Sequence, residues 1–485
     1  MENKYVYGAA IQGIQSFIFQ TDKLREIIGA SEIVEQVGEL FEKDFSKGAE
    51  RIVNAAGNIK YIFSKKEDCA QAVKFFPKCV LNMAPGITIS QAVVPMMEAM
   101  SFEEAMSQLD RLLKTQRNKP TRPLTYGFMG FERSRQTGLP VYDLKSHTDL
   151  GTYKKIESSD KANSELVTKA IGDVLPKSFE CPTNFNALTG KNNWIAVLHA
   201  DGNSLGKVVM AIGGKVDVFS EFSKKLEEAT QNATRLACKA IFDTHQETFS
   251  KGVFPFRPIV LGGDDLTIIC RGDLAITFAR AFLVQFEEQT HRLLGSLISN
   301  AGLHMDRLTA CVGISFIKDS YPFYYGYRLA EDLCNRAKKI SGVLAQGGVQ
   351  DSCLMFHKVQ DSYIDTFDNI EKRSAIAENF GPYFIGENPK KEGFHTIDQL
   401  NQSIRFLTEY PSLKSNLREW ITALYEDEEQ ANQKLNRMKD IYKSIWGKQA
   451  DSFISGVPRV VPSEGFRYPV FDAISLYSIL SNTTN

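Results

Sequence analysis

Gly262-Gly263-Asp264-Asp265 lies between two apolar runs, Phe254-Pro255-Phe256-Arg257-Pro258-Ile259-Val260-Leu261 and Leu266-Thr267-Ile268-Ile269-Cys270. Two strand-like runs joined this way predict a tight β-hairpin with two carboxylates at its tip. A third acid, Asp201, ends the run Trp194-Ile195-Ala196-Val197-Leu198-His199-Ala200. A strand-end acid beside an acidic hairpin tip can hold two divalent ions ~3.5–4 Å apart, the arrangement that joins nucleotides. In that reaction a 3′-hydroxyl attacks an α-phosphorus and pyrophosphate leaves. Mg²⁺ or Mn²⁺ needs few carboxylates, because water and phosphate complete the shell. Asp201 and Asp265 are the expected direct ligands, with Asp264 close by and the Gly202 carbonyl as a further oxygen. Gly262 and Gly263 permit a sharp turn and an approach of phosphate unhindered by a Cβ. The competing reading is a plain turn. Against it, acids packed between apolar strands are costly unless cations compensate their charge.

Other residues carry two readings each. Lys338, with Lys339, is expected at the end of a helix, where it either reaches a triphosphate or complements the helix dipole. Asn203 and Ser204 either contact a ribose or base, or start the next helix. Lys207 either faces phosphates or is an exposed helix lysine. Gln12, Gln15, Ser16 and Phe17 follow an earlier strand and form either an acceptor-nucleotide contact or a helix start. Arg111, Lys114, Arg117, Lys119, Arg122, Arg133 and Arg135 make the strongest local basic stretch, read as a nucleic-acid contact or a solvated face.

The elements that must position these residues occur twice. The first copy reads strand 5–11, helix 22–45, hairpin 51–63, a short helix 69–76, strand 86–94 and helix 102–117. The second reads strand 194–200, helices 216–248, the acidic hairpin, helix 274–294, strand 308–316 and helix 323–340. This order predicts an α+β fold with helices covering one face of an antiparallel sheet, duplicated once. The first hairpin tip is Ala55-Ala56-Gly57-Asn58. It lacks carboxylates, so the first copy is expected to be degenerate. The expected domains are 1–120, a connector 121–190 with a helix near 161–174, a catalytic domain 191–360 and a C-terminal helical domain 361–485. Leu354 to Val359 reads as an edge strand. Ile404, Phe406, Leu407, Leu413, Leu417, Trp420, Ile421 and Leu424 form the apolar stripe of the helical domain.

A net charge of −1 over 485 residues excludes a global basic field. The eight cysteines form no C-x-x-C pair, so neither a zinc ribbon nor a disulfide framework is expected. No signal peptide or membrane-length apolar run is present, and a cytoplasmic location is expected. The sequence contains no His-Asp dipeptide and no Walker-type phosphate loop.

Taken together, several segments carry a resemblance. They are Gly262 to Asp265, His199-Ala200-Asp201-Gly202-Asn203-Ser204-Leu205-Gly206, Tyr321-Pro322-Phe323 with Leu329 through Lys338, Ile11 to Phe19 with Lys23 to Ser31, and Gln116 to Pro120. Over residues 1–360 the chain resembles the large, palm-containing subunit of type III CRISPR effector complexes, in the III-B branch. The resemblance implies two ferredoxin-like palm domains, only the second with the acidic hairpin. It further implies condensation of ATP into cyclic oligoadenylate when target RNA is bound, with Asp201, Asp264 and Asp265 on Mg²⁺ or Mn²⁺. Guide RNA, target RNA and other effector subunits are the implied partners. The chain departs from many relatives in two ways: it is expected to start directly at the first palm without the HD nuclease domain, and it lacks the cysteine-ligated zinc element. A stand-alone cyclase, as a possible homodimer, is therefore also open. The alternative is a scaffold subunit that binds nucleotide and RNA with little turnover, and a GTP-using GGDEF-like cyclase is a third reading.

Overall fold

The computed structural model describes residues 4–55, 57–97, 100–119, 129–162, 165–176, 178–189, 193–212, 216–250, 252–360, 366–373, 377–378, 381–386, 394–446, 459–461 and 465–480. Contacts group the chain into two compact units. One comprises Met1–Phe185, Ser204–Ile268 and Gln285–Leu308, and the other Asn186–Asn203, Ile269–Val284 and Thr309–Asn485.

The first copy runs β1 (Lys4–Gln12), α1 (Ile14–Ile18), α2 (Leu24–Phe45), β2 (Ala49–Ala55), β3 (Asn58–Phe63), α3 (Lys66–Met83), β4 (Thr88–Met96) and α4 (Phe102–Arg117). Its sheet has the order β2-β3-β1-β4. Alternation along β1 sends Tyr7 and Val6 to opposite faces. Tyr7 stacks on Phe41 of α2 at 5.2 Å, and Phe41 meets Tyr61 of β3 and Phe76 of α3, each at 4.9 Å. On the other face Val6, Ile52, Ile62 and Val94 pack against Ala105, Leu109 and Leu113 of α4. Helices therefore cover both faces of this sheet, not one as the sequence suggested. The even-numbered apolar residues of β1 and β3 require a second cover, and α4 supplies it. Helix α3 also extends past Phe76 and contains Pro77. Its buried stripe Cys69, Ala72, Phe76, Val80 keeps helical spacing through the proline, so packing overrides the local breaker.

The connector holds β5 (Val141–Asp143), β6 (Thr148–Asp149), α5 (Leu150–Ala162), α6 (Glu165–Ala170) and α7 (Phe185–Leu188). Its main helix starts well before the expected 161–174. The Asp149 carboxylate accepts from Thr152 N–H at 3.1 Å and Thr152 Oγ1 at 2.8 Å, fixing the first turn there.

The second copy runs β7 (Trp194–Gly202), α8 (Leu205–Ile212), α9 (Val216–His245), β8 (Phe256–Gly262), β9 (Asp265–Arg271), α10 (Ala275–Asn300), β10 (Ala310–Lys318) and α11 (Phe323–Leu344). Then come β11 (Cys353–Lys358), α12 (Phe367–Arg373), β12 (Ala377–Glu378), β13 (Tyr383–Phe384) and β14 (His395–Thr396). The sheet order is β14-β13-β11-β10-β7-β9-β8. The neighbours β8-β9-β7-β10 repeat the first copy's β2-β3-β1-β4 element for element, a duplicated ferredoxin-like palm within a mixed α+β chain. Strand β11 is interior, not an edge. It pairs parallel to β10 and antiparallel to β13, because its Cys353 to Phe356 are buried and need cover on both sides.

The C-terminal region is helical: α13 (Ile397–Glu409), α14 (Pro411–Glu426), α15 (Glu428–Trp446) and α16 (Pro469–Leu480), with a small sheet of β12, β15 (Arg459–Val461) and β16 (Gly465–Tyr468). Ile404, Leu407, Leu413, Leu417 and Trp420 of the expected stripe are buried. No helix among the described residues is long and apolar enough to cross a membrane.

Candidate active site

Antiparallel pairing of β7 with β10 fixes the first acid. The register sets Asp201 opposite Cys311 and Gly202 opposite Ala310, at the C-terminal end of β7. Asp264 lies in the turn between β8 and β9, and Asp265 is the first residue of β9, the strand next to β7. Asp201, Asp264 and Asp265 are all half-buried, and each offers a carboxylate oxygen within 4.8 Å of the others. The tip is tied down from α9, where Thr230 Oγ1 donates to the Gly263 carbonyl at 2.7 Å. Gly263 has φ +62°, and a Cβ there would meet nothing within 4 Å. Its backbone is thus left-handed, which favours glycine, and it borders open space.

Lys338 forms an ion pair with Asp201 Oδ2. It does not end its helix as expected: α11 continues to Leu344. The apolar face Leu333, Ala337, Ile340, Leu344 carries α11 past the lysine, so a position at the helix C-terminus no longer explains it. What brings α11 down onto the sheet is Gly313, opposite His199 in the β7–β10 register. A Cβ at Gly313 would lie 1.9 Å from the Ala330 carbonyl oxygen and 2.4 Å from the Cys334 nitrogen. Lys339, the next residue, is exposed.

Behind the acids, His199 is buried and set edge-on to Tyr327 at 5.8 Å. Burial, aided by the positive charge of Lys338 and opposed by Asp201, pushes its pKa down to about 4. The imidazole is therefore neutral near pH 7 and adds no positive charge beside Asp201.

The remaining expected residues separate. Asn203 is buried and turned away from open space, its Nδ2 donating to Thr309 Oγ1 at 3.0 Å and its Oδ1 accepting from Cys311 Sγ at 3.4 Å. It fastens the end of β7 to the start of β10. Ser204 has φ +59° and accepts from Lys207 N–H at 3.0 Å, opening α8. Lys207 is exposed. Gly262 is buried at the end of β8. In the first copy Ile11 takes the place of Asp201, its N–H donating to Gly57 O at 2.9 Å. Gln12 bonds Ser90 Oγ, and Gln15 and Ser16 are exposed on α1. Arg111, Lys114, Arg117, Lys119, Arg133 and Arg135 are exposed. Ala56, Pro120 and Arg122 lie outside the described residues.

Sequence reading missed Thr230 and the bracing roles of Gly313 and Thr309. Only Gly313 left a signal, a glycine inside a strand pattern, which marks close backbone approach.

Residues 194–345 match the family model described as Cas10/Cmr2, second palm domain. No curated protein matches the chain. Among solved structures, the chain is similar to a Csm1-Csm4 cassette in complex with cA4 (TM-score 0.55, 12% identity, 100% of this chain and 70% of that chain). The same figures hold for a Csm1-Csm4 cassette in complex with one ATP. For one in complex with cA3 the TM-score is 0.54, again at 12% identity with 100% and 70% covered. At these identities the likeness is one of fold.

Proposed function

We propose that this chain is a divalent-metal-dependent nucleotidyltransferase that condenses ATP into cyclic oligoadenylate or a related cyclic nucleotide, as part of a type III CRISPR defence. The observation that carries this reading is the convergence of Asp201, Asp264 and Asp265 within 4.8 Å. An all-carboxylate, half-buried donor set suits hard, oxygen-seeking cations such as Mg²⁺ and Mn²⁺, and not softer metals that prefer sulfur or imidazole. When bound, such ions offset the charge of the phosphates and favour the alkoxide form of the attacking hydroxyl. The protein's own part is positional. Asp201 and Asp265 hold their oxygens at fixed strand positions, Asp264 adds a third carboxylate, and the carbonyl of Gly202 is a further candidate donor. Gly263, which borders open space, leaves backbone room for a phosphate, while Gly262 is buried at the end of β8. Lys338, paired with Asp201, stands where it can exchange that carboxylate for a nucleotide phosphate.

The fold neighbours in complex with ATP, cA3 and cA4 support the choice of nucleotide. That they are Csm1-Csm4 cassettes supports a second reading, in which this chain works beside a partner subunit; guide RNA as a partner is a proposal from the sequence resemblance. The III-B branch, the division at 1–120, 121–190, 191–360 and 361–485, and a cytoplasmic location are proposals from sequence. Purified protein with each labelled nucleoside triphosphate and Mn²⁺, followed by mass analysis, tests the activity. Cyclic adenylate product is expected, and it should vanish in Asp264→Ala/Asp265→Ala with the circular dichroism unchanged. Equal synthesis by that variant refutes the reading.

A further inference from the structure

Strand β7 begins at Trp194 and carries Asp201 seven residues on, about 23 Å away at ~3.3 Å per residue. At this opposite end, cationic side chains from three elements gather around two aromatic rings. Lys318, the last residue of β10 and the register partner of Trp194, sets its Nζ 4.1 Å from the Trp194 ring centroid. Lys358, the last residue of β11, sets its Nζ 4.6 Å from the same ring and bonds Ser478 Oγ of α16. Lys414 of α14 stands 4.6 Å over the Tyr477 ring of α16. Arg418, one turn further along α14, is exposed, as is Lys318. Among the described residues, no ion pair joins Lys358, Lys414 or Arg418 to a carboxylate. Aromatic faces attract cations without neutralising them, so Lys358, Lys414 and Arg418 keep their positive field, while Asp319 offsets part of the charge of Lys318.

The geometry points to a phosphate-binding site formed by Lys318, Lys358, Lys414 and Arg418. It is separate from the acidic cluster and independent of the nucleotidyltransferase reading. The phosphate comes either from a single-stranded RNA backbone or from a free polyphosphate. Mutual repulsion is visible in the lysines themselves. Burial, then the charges of Lys318, Arg418 and Lys414, pushes the Lys358 pKa down to about 8. Burial and Arg418 also lower that of Lys414. A cluster of like charges that costs stability, yet converges from β10, β11 and α14, suits an anionic ligand.

The test is fluorescence anisotropy of a labelled, uridine-only RNA in EDTA, which removes divalent ions from the acidic cluster. Wild type, Lys414→Gln/Arg418→Gln and Lys414→Arg are titrated over a range of salt. Each lost phosphate contact lowers the salt slope by about 0.7, so the double variant should show a slope smaller by about 1.4 and bind about 25-fold more weakly near 0.1 M salt. Lys414→Arg keeps the charge and should bind like wild type. The thermal midpoint of the double glutamine variant should equal or exceed that of wild type. Pyrophosphate that displaces RNA at comparable concentration assigns a free polyphosphate; RNA that resists it assigns the backbone. Unchanged affinity and slope in the double variant overturn the site. So does a fall in its thermal midpoint, which would make the cations structural.

Discussion

Replacing Asp265 by Asn separates the cost of the acidic cluster from its use. Two full charges at 4.8 Å repel by about 3.5 kcal/mol at an effective dielectric of 20 and by under ~1 kcal/mol in bulk water. The side chains are half-buried, so about 1.5 kcal/mol per pair is a reasonable discount for solvent. Asp265 faces two other acids, giving roughly 3 kcal/mol of strain, of which the Lys338 charge returns a part. Without metal, Asp265→Asn should therefore be more stable than wild type by about 2 kcal/mol, a rise of about 2 °C in Tm for cooperative unfolding of 485 residues. With Mn²⁺ the order should reverse. A site filled at a hundred times its Kd gains about 2.7 kcal/mol, which wild type should show and the variant should lose. Differential scanning calorimetry in EDTA and in excess Mn²⁺ reads both effects. A variant less stable than wild type in EDTA, or a wild-type Tm indifferent to Mn²⁺, refutes the reasoning.

Lys338→Gln removes the cation already paired with Asp201, so calorimetric titration should show Mn²⁺ binding several-fold tighter without nucleotide, while KM for ATP rises; tighter binding of both would exclude a phosphate role for the lysine. Lys155, buried under α2 with its pKa pushed down to about 8 by burial against the opposing pull of Glu26 and Asp149, gives a pH signature. Between pH 8 and 10.5 the unfolded chain holds its proton more firmly than the folded one, so stability should rise with pH by up to about 1.4 kcal/mol per unit. In Lys155→Met that slope should disappear from urea melts. Gly313→Ala drives a methyl into the Ala330 carbonyl at 1.9 Å, and should cost about 3 kcal/mol or more because backbone must move; a loss under ~1 kcal/mol would mean that α11 is not seated there.

Much of this was legible in the sequence, for physical reasons that also explain the rest. The paired strands, the duplication and the acidic tip follow from short-range pattern: β-period runs, a two-glycine turn and acids where burial is costly. Helix α4 could be bounded at Phe102–Arg117 because Ser101 and Glu104 form a capping box. Most of what failed depended on distant partners. Nothing local says that β11 lies between β10 and β13, parallel to the first and antiparallel to the second, or that packing carries α3 through Pro77; the Asp149 cap that starts α5 at Leu150 is a local signal that the sequence reading passed over. Within the site, residue types could nominate Asp201, Asp264, Asp265 and Lys338. They could not tell that Asn203 is spent on Thr309, since an amide after a strand looks the same whether it faces a ligand or a neighbouring strand.

The two palms form a comparison inside one chain. Both share the same strand order, and both turn between their second and third strands around a glycine with positive φ, Gly57 at +75° and Gly263 at +62°. In the first, Ile11 is 8% exposed and closes over Gly57, whose Cβ position lies 2.9 Å from Ile11 Cδ1. An apolar side chain there completes the hairpin with no charge to balance. The fold therefore does not require acids at this corner. In the second palm the same corner carries Asp201 across from Asp264 and Asp265, at an electrostatic cost that Lys338 reduces through its ion pair with Asp201. A corner that folds as well with isoleucine, yet holds three mutually repelling carboxylates in the copy matched by the second-palm family model, suits cation binding and not hairpin stability.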